Sequence, residues 1–239
     1  MKSWTTKNGH QIYRVLSGRS NAYLVVKDNR CLLVDTGKES GYSRMVENIK
    51  QTGFKISDIE YLVLTHTHFD HCQSAFRIKK ESGCKIIVSE NAREYVANGF
   101  TKLPNGTIFL TRQISRIGKK IGKRHFGYHS FQPDNLVSRD NNFRIDSFDI
   151  DIIHTTGHSE ESVSILIDNE IALVGDVMFG VVKNAVFPPY ADDVETMIKS
   201  WKKLLGTRCQ LFLPGHGNEI NRRLLEKEYE KYVKAGNIR

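Results

Sequence analysis

The sequence predicts an α/β layered fold, and three observations lead to this prediction. Short apolar runs, typical of buried strands, alternate with stretches whose apolar residues recur at helical spacing. From residue 31 to residue 98 a strand, a helix, a strand and a helix follow in turn, as in layered α/β proteins. The length of 239 residues suits a single domain over residues 1–239 with a sizeable core, interrupted by an inserted basic helical segment.

The first half of the chain gives the clearest alternation. Three short strands are predicted within residues 11–35, with a hairpin turn at Asp28-Asn29. The elements expected after them are helices over 40–51, 70–81 and 90–98, and strands over 61–64 and 84–88.

Residues 99–133, called the basic segment below, depart from this alternation. No acidic residue occurs between Glu94 and Asp134, and seven basic residues in this interval nearly account for the net charge of +8. They are Lys102, Arg112, Arg116, Lys119, Lys120, Lys123 and Arg124. Apolar residues recur at helical spacing, with the basic residues mostly on the other face.

Three interpretations of the basic segment are open. It is a surface helix that packs its apolar face on the core, a lid over the active site, or a contact with a membrane surface. In the lid interpretation, Lys119, Lys120 and Lys123 bind an anionic substrate.

The second half of the chain returns to short strands. Strands are expected over 143–145, 150–154, 162–167, 171–174 and 210–213, and helices over 192–205 and 221–234. A loop that includes residues 178–190 precedes the first of these helices.

Composition excludes several classes of protein. Four scattered cysteines show no paired spacing, which argues against a disulfide framework and a cysteine-rich zinc module. No apolar run approaches the length of a membrane span, and the N-terminus lacks an apolar signal core. The expected location is the cytoplasm, with no transmembrane segment.

The strongest chemical signal is His-x-His-x-Asp-His at residues 66–71, directly after the predicted strand 61–64. His66 and His68 are two positions apart, so on an extended segment they face the same side. Asp70 and His71 then open a predicted helix. Buried polar groups without partners are costly, so four metal-capable side chains within six residues indicate a metal site rather than ordinary core.

Other strand ends carry the same kind of group. His158, Asp176 and His216 each stand beside a glycine, which allows close approach of the backbone. Imidazole and carboxylate ligands without thiolate suit Zn²⁺, with Fe or Mn as alternatives. Seven ligands are too many for one tetrahedral ion and divide well between two ions that share a carboxylate.

In the stretches that carry these residues, the sequence resembles the metallo-β-lactamase-fold hydrolases. The matching stretches are 32–37, 65–71, 156–159, 175–176 and 213–217, in the order found in that family. The resemblance implies a four-layer αββα sandwich. It assigns His66, His68 and His158 to the first metal, Asp70, His71 and His216 to the second, and Asp176 to a bridging position.

The resemblance also bears on residues beside these ligands. Asp35 corresponds to an aspartate that fixes the ligand loop, although a simple turn residue before Thr36-Gly37 is an alternative interpretation. His154 matches no ligand and is interpreted as structural or as a support to a ligand. Cys72 does not match the thiolate ligand of true β-lactamases and is interpreted as a small buried residue.

The implied activity is hydrolysis by a metal-bridging hydroxide, with Asp70 also accepting or steering a proton. The expected substrate is a small, anionic ester, thioester or lactone, as in the glyoxalase II and lactonase-like branch. Tyr190 would lie near the substrate carbonyl, or is a packed loop aromatic.

Alternatives within the fold are a phosphodiesterase or nuclease and a persulfide dioxygenase-like enzyme with a single iron. Outside enzymes, the alternative is a binding module on a retained fold. A nucleic-acid partner is disfavoured but left open. The partner expected for the enzyme is a small-molecule substrate, and a homodimer is an open alternative to a monomer. Only residues 217–239 follow the last motif, where glyoxalase II has a helical domain that binds glutathione.

Overall fold

A computed structural model of the protein describes residues 1–139 and 142–234. Two β-sheets pack face to face, and helices cover the outer face of each sheet. The predicted four-layer αββα sandwich is therefore confirmed.

The first sheet contains seven strands in sequential order. They are β1 (Ser3–Thr5), β2 (Gln11–Leu16), β3 (Ala22–Lys27), β4 (Arg30–Val34), β5 (Ile59–Val63), β6 (Lys85–Ser89) and β7 (Asn135–Val137). β1 to β4 pair antiparallel, and β4 to β7 pair parallel. The parallel half brings the carboxyl ends of β4 and β5 to one edge, where the histidine cluster begins.

The second sheet contains six strands in the order β13-β12-β11-β10-β9-β8. They are β8 (Phe143–Ile145), β9 (Ile150–His154), β10 (Val163–Ile167), β11 (Ile171–Gly175), β12 (Leu211–Pro214) and β13 (Ile220–Asn221). β11 and β12 pair in parallel, so that Asp176 and His216, which follow these two strands, lie at the same edge.

Eight α-helices complete the described part of the chain. They are α1 (Tyr42–Gln51), α2 (Phe69–Cys72), α3 (Ala75–Ser82), α4 (Arg93–Asn98), α5 (Phe109–Ile121), α6 (Lys123–Phe126), α7 (Val194–Leu205) and α8 (Arg222–Lys234). None of these helices combines the length and the apolar character that crossing a membrane requires.

The single helix predicted over residues 70–81 is wrong, because α2 and α3 are separate helices. The carbonyl of His71 accepts a hydrogen bond from the backbone N–H of Thr36 at 2.7 Å. It also accepts one from the Thr36 hydroxyl at 3.1 Å. These contacts with the loop after β4 use the carbonyl that a continuous helix would need.

Three apolar layers hold the sandwich together. Met45 and Ile78 pack with the outer face of the first sheet, and Leu32 and Ile165 are buried between the sheets. Trp201 of α7 is fully buried on the outer face of the second sheet. Burial of such side chains is the main favourable term in folding.

The basic segment is helical, but of its three interpretations the one in which the apolar face packs on the core is wrong. α5 buries its small residues Thr111, Ser115 and Gly118 and exposes its large apolar ones. The Ser115 hydroxyl donates to the Pro104 carbonyl at 2.6 Å. A Cβ added at Gly118 would lie 2.4 Å from the Leu103 side chain. Small residues are thus needed where the helix meets the segment at residues 103–104.

Candidate metal centre

The histidines and aspartates predicted as ligands meet at one edge of the sandwich. Residues 65–71 follow β5, His158 lies between β9 and β10, Asp176 follows β11, and His216 follows β12. Both sheets therefore contribute, and their convergence at this edge follows from the parallel pairs β4–β5 and β11–β12.

Among the described residues, three sets of three side chains each bring one donor atom within 4.8 Å of the others, and one of them, His66, His71 and Asp176, overlaps the other two. The two remaining sets share no residue. The first set is His66, His68 and His158, all buried. The second set is Asp70, His71 and His216, of which His71 is buried and the other two are partly exposed. These are the two groups that the sequence comparison with the family assigned to separate ions.

Asp176 lies between the two sets. Its Oδ2 is 3.9 Å from His66 Nε2 and 3.6 Å from His158 Nε2 on one side. On the other side, Oδ2 is 3.2 Å from His216 Nε2, and Oδ1 is 3.4 Å from His71 Nε2. The carboxylate is thus placed as a bridge between two ions would be.

Hydrogen bonds outside the centre determine which ring nitrogen faces into it. His158 Nδ1 lies 2.9 Å from the Tyr190 carbonyl, and His68 Nε2 lies 3.2 Å from the Lys102 carbonyl. A carbonyl only accepts, so these nitrogens carry the protons. His158 Nε2 and His68 Nδ1 are then unprotonated and have lone pairs that can bind a metal. Those two atoms are 3.1 Å apart.

Asp35 orients the loop between β5 and α2. Its carboxylate accepts hydrogen bonds from the Thr65 backbone N–H and the Thr65 hydroxyl, both at 2.8 Å. Asp35 Oδ2 is also 2.9 Å from His71 Nδ1, which turns His71 Nε2 into the centre. A carboxylate behind a ligating histidine fixes its tautomer and raises its basicity. The arrangement goes beyond that of a simple turn residue, although Asp35 does have a positive φ of 59°.

The centre also shows two signs that it fits cations. His66 Nε2 and Asp176 Oδ1 are buried without a hydrogen-bond partner among the described residues, which is costly unless a ligand compensates. A Cβ added at Gly215 would lie 2.3 Å from Asp176 Oδ1 and 2.6 Å from His71 Cε1. Glycine at this position keeps the space beside the donors open. Imidazole and carboxylate donors without thiolate fit zinc.

Burial sets the charge of the first group of histidines. It lowers the pKa of His68 and of His158 to about 4. Together with the neighbouring histidines, it also lowers the pKa of His66 well below the ordinary value. These rings are neutral at pH 7, the form that binds metal.

The pKa values of His71 and Asp176 are set by neighbouring charges, which together outweigh burial. Burial lowers the pKa of His71, but the carboxylates of Asp176 and Asp35 outweigh it and raise that pKa well above the ordinary value. Burial raises the pKa of Asp176, but His216 and His71 outweigh it and hold that pKa well below the ordinary value. Asp176 is therefore an anion at neutral pH.

A cavity of about 410 Å³ opens onto the centre. Asp70, Asp176 and His216 line it together with Tyr190, so the structure brings the predicted Tyr190 to the site. Its walls are largely apolar, and they include Leu103, Pro104, Ile114, Phe126 and Phe179. Arg19, which the sequence did not indicate, also lines the cavity.

The three predicted lysines of the basic segment do not line this cavity. Lys119 lines a neighbouring cavity of about 510 Å³, and its Nζ lies 2.8 Å from Asn105 Oδ1. Lys123 Nζ donates to the Asn98 carbonyl at 2.5 Å, and Lys120 is exposed.

Glu161 is a residue that sequence reasoning missed. It is buried, and its Oε1 lies 3.3 Å from both the backbone nitrogen and the hydroxyl of Thr67, between His66 and His68. Glu161 thus supports the ligand loop from the second sheet, as Asp35 does from the first. The only sequence signal was its place three positions after His158.

His154 and Cys72 lie outside the two donor sets. His154 Nε2 donates to the carbonyls of Val137 and Ser138 at 3.2 and 3.1 Å. Cys72 is buried, and its thiol donates to the Thr67 carbonyl at 3.2 Å. Both residues are therefore placed as structural residues.

Comparison with known proteins places this arrangement in a family. Residues 17–216 match the sequence profile of the Metallo-beta-lactamase superfamily. The probable metallo-hydrolase YqgX of Bacillus subtilis is 28% identical over 208 residues, which are 85% of this chain and 87% of that protein. The hydroxyacylglutathione hydrolase GloC of Haemophilus influenzae is 26% identical over 214 residues, which are 87% of this chain and 90% of that protein.

A solved structure shares the fold. A metallo-beta-lactamase with a HARLDQ motif from Cronobacter sakazakii has a TM-score of 0.71 and 17% identity, over 99% of this chain and 93% of that one. The match over residues 17–216 contains every histidine and aspartate of the two donor sets, and the sandwich that carries them is the same. The chain is a member of the metallo-β-lactamase superfamily.

Proposed function

We propose that the protein is a hydrolase with two metal ions that cleaves a small, anionic ester, thioester or lactone. The observation that carries this proposal is the pair of donor sets that share Asp176 at the base of one cavity. Two divalent ions, when bound, lower the pKa of a water molecule and polarise the carbonyl oxygen under attack. Zinc is the proposed metal, because the donors are imidazole and carboxylate groups.

The chain's own residues divide the work of holding these ions. The proposed ligand atoms of the first ion are His66 Nε2, His68 Nδ1 and His158 Nε2, and those of the second are the Asp70 carboxylate, His71 Nε2 and His216 Nε2. Asp176 would lie between them as a shared ligand. The neutral state of the first three rings supports this assignment, since no proton has to leave them before a metal binds at pH 7.

Asp70 is the proposed proton acceptor as well as a ligand. Its Oδ2 lies 3.8 Å from His216 Nε2 and 3.7 Å from Arg19 Nε, at the base of the cavity. A carboxylate in this position faces both the donors and the bound substrate, as a general base must.

The cavity supports the proposed substrate class. Its apolar walls suit the hydrocarbon part of an acyl compound, and the Arg19 guanidinium offers a partner for an anionic group. Tyr190 is proposed to contact the substrate carbonyl from the same cavity. Lys119, Lys120 and Lys123 are proposed to attract anions from outside. The relative named hydroxyacylglutathione hydrolase, 26% identical, supports thioester chemistry.

The test is a substrate panel on zinc-reconstituted protein. A thioester, a lactone and bis(p-nitrophenyl) phosphate are compared side by side, with His66→Ala as the variant that loses a ligand. His154→Ala is the matched control, because His154 is a histidine of the same sheet edge outside both donor sets. We expect turnover of the thioester or lactone, its loss in His66→Ala, and its retention in His154→Ala.

Two results would overturn the proposal in different ways. Turnover of the phosphodiester alone would assign the site to a phosphodiesterase. Less than one equivalent of metal, together with unchanged behaviour of His66→Ala in every assay, would indicate a binding module on a retained fold. The cytoplasmic location and the homodimer stay predictions.

A further inference from the structure

α5 carries a stripe of exposed apolar side chains. Leu110, Ile114, Ile117 and Ile121 follow one another at helical spacing and are 64%, 48%, 61% and 41% exposed. Phe109, at the start of the helix, is 78% exposed. The residues at helical spacing, Leu110, Ile114, Ile117 and Ile121, are called the α5 stripe below. They lie away from the side that buries Thr111, Ser115 and Gly118. Contiguous apolar surface of this kind marks an interaction site.

Most of the exposed large apolar residues lie on or close to segments that line the metal-centre cavity. Of the eleven large hydrophobic side chains that are exposed in the described ranges, eight lie in residues 108–121 and 181–182. Ile114 of the stripe lines the cavity, and so does Phe179, two positions before Val181. Gly106, just before α5, forms a backbone bridge with Tyr190, which also lines the cavity. The apolar surface of α5 therefore reaches the entrance to the site at Ile114.

The charges on α5 and α6 have a single sign. Arg112, Arg116, Lys119 and Lys120 are exposed on α5, and Lys123 and Arg124 follow on α6. No acidic residue occurs between Glu94 and Asp134. A basic helix with an exposed apolar stripe has the character of helices that lie in the headgroup region of a membrane. At 13 residues, α5 extends for about 20 Å along such a surface.

A second copy of the chain fits this surface less well. A two-fold interface through α5 presents the same surface on both subunits, so both sets of basic side chains would meet within one contact. Like charges brought together in an interface oppose association. Anionic headgroups instead complement the basic residues, while the lipid tails complement the stripe.

We propose that the α5 stripe and the basic residues beside it form a peripheral docking surface for bilayers that contain anionic lipids. Docking places the mouth of the metal-centre cavity against the headgroups. The proposal concerns α5 and holds whichever bond the metal centre cleaves.

The experiment is vesicle co-sedimentation of the full-length, zinc-reconstituted protein. We compare vesicles of phosphatidylcholine alone with vesicles that contain about one third phosphatidylglycerol. The protein is expected to sediment with the anionic vesicles only, and high salt is expected to release it.

Two double variants separate the apolar and the charged contributions. Leu110→Ser with Ile117→Ser, and Arg116→Gln with Arg124→Gln, are each expected to weaken partitioning about tenfold or more. Val233→Ser with Lys227→Gln on α8 is the matched control, because it removes an exposed apolar and an exposed basic side chain elsewhere. The control should sediment as wild type does.

Thermal unfolding and zinc content show that each variant remains folded. Failure of the folded wild type to sediment with anionic vesicles refutes the proposal, as does equal sedimentation of all variants. Sedimentation velocity gives the remaining outcome. If the wild type is a dimer that Leu110→Ser with Ile117→Ser converts to a monomer, the stripe is a self-association surface and the membrane proposal is wrong.

Discussion

The contact between Asp35 and His71 allows a sharp test of the second metal position. Asp35→Asn keeps the shape of the side chain, and asparagine tolerates the positive φ of 59° at this residue. The amide oxygen can still accept from the Thr65 backbone N–H. The amide nitrogen then faces His71 Nδ1, where the wild-type Oδ2 lies at 2.9 Å.

The expected effect follows from the tautomer. An amide N–H cannot accept the proton of Nδ1, so the imidazole proton moves to Nε2, the atom that is proposed to bind the second ion. Loss of such a supporting contact typically lowers metal affinity about 10–100-fold, or about 1.4–2.7 kcal/mol. The first ion, held by His66, His68 and His158, should be retained.

The assay is a competition of zinc-loaded protein against increasing concentrations of a chromophoric chelator, with zinc per protein measured at each step. Asp35→Asn should release one equivalent at about 10–100-fold lower chelator concentration than wild type. Long-range ¹H–¹⁵N NMR of the imidazole rings should show the His71 proton on Nε2 in the variant.

Asp168→Asn is a matched control. Asp168 also has a positive φ, of 53°, and its Oδ2 lies 2.7 Å from Nδ1 of the buried His10. It follows the end of β10 that lies away from the metal centre. The control should lose stability but no zinc. Unchanged affinity for both ions in Asp35→Asn, or equal zinc loss in Asp168→Asn, would refute the reasoning.

Three further predictions concern the surroundings of the centre. Gly215→Ala should abolish zinc binding, because its Cβ would lie 2.3 Å from Asp176 Oδ1. In Gly53→Ala the added Cβ has no atom within 4 Å, so this control should keep its zinc. Metal analysis of both variants tests the prediction. Glu161→Ala should lower zinc affinity about tenfold, because it removes the acceptor for the Thr67 backbone N–H in the ligand loop. Glu161→Gln keeps an oxygen acceptor and should retain most of the wild-type affinity. Equal losses of affinity for the two variants in the chelator assay would contradict this. Burial raises the pKa of Asp168, but hydrogen bonds from neighbouring side chains outweigh it and lower that pKa below its ordinary value. The stability that Asp168 contributes is present above about pH 4 and is lost as pH falls through the lowered pKa, so urea unfolding should show the gap between wild type and Asp168→Asn closing below pH 4.

The sequence was sufficient for the parts of the centre whose signals are local. His66, His68, Asp70 and His71 stand in one short stretch after an apolar strand, and His158, Asp176 and His216 stand beside glycines at other strand ends. The apolar run of a strand, the adjacent glycine and the type of ligand can each be read from a short stretch of sequence. The order of these stretches matches the family. The fold class and the candidate ligands could therefore be predicted without coordinates.

Support for the ligands was only partly predictable. Asp35 was identified through the resemblance, but its contacts with Thr65 and His71 depend on how β4 packs beside β5. Glu161 reaches Thr67 across the two sheets, 94 positions apart in the chain. No local pattern reports a contact at such a separation.

The sequence by itself determined which residue types stand at the strand ends, and hence the family, the donor set and the basic character of residues 99–133. Only the tertiary structure decided which nitrogen of each histidine faces the centre, because that choice depends on carbonyls and carboxylates from distant segments. The structure also decided the orientation of α5. Periodicity showed that the helix has an apolar side, but the close approach of Gly118 to Leu103 turns that side outward.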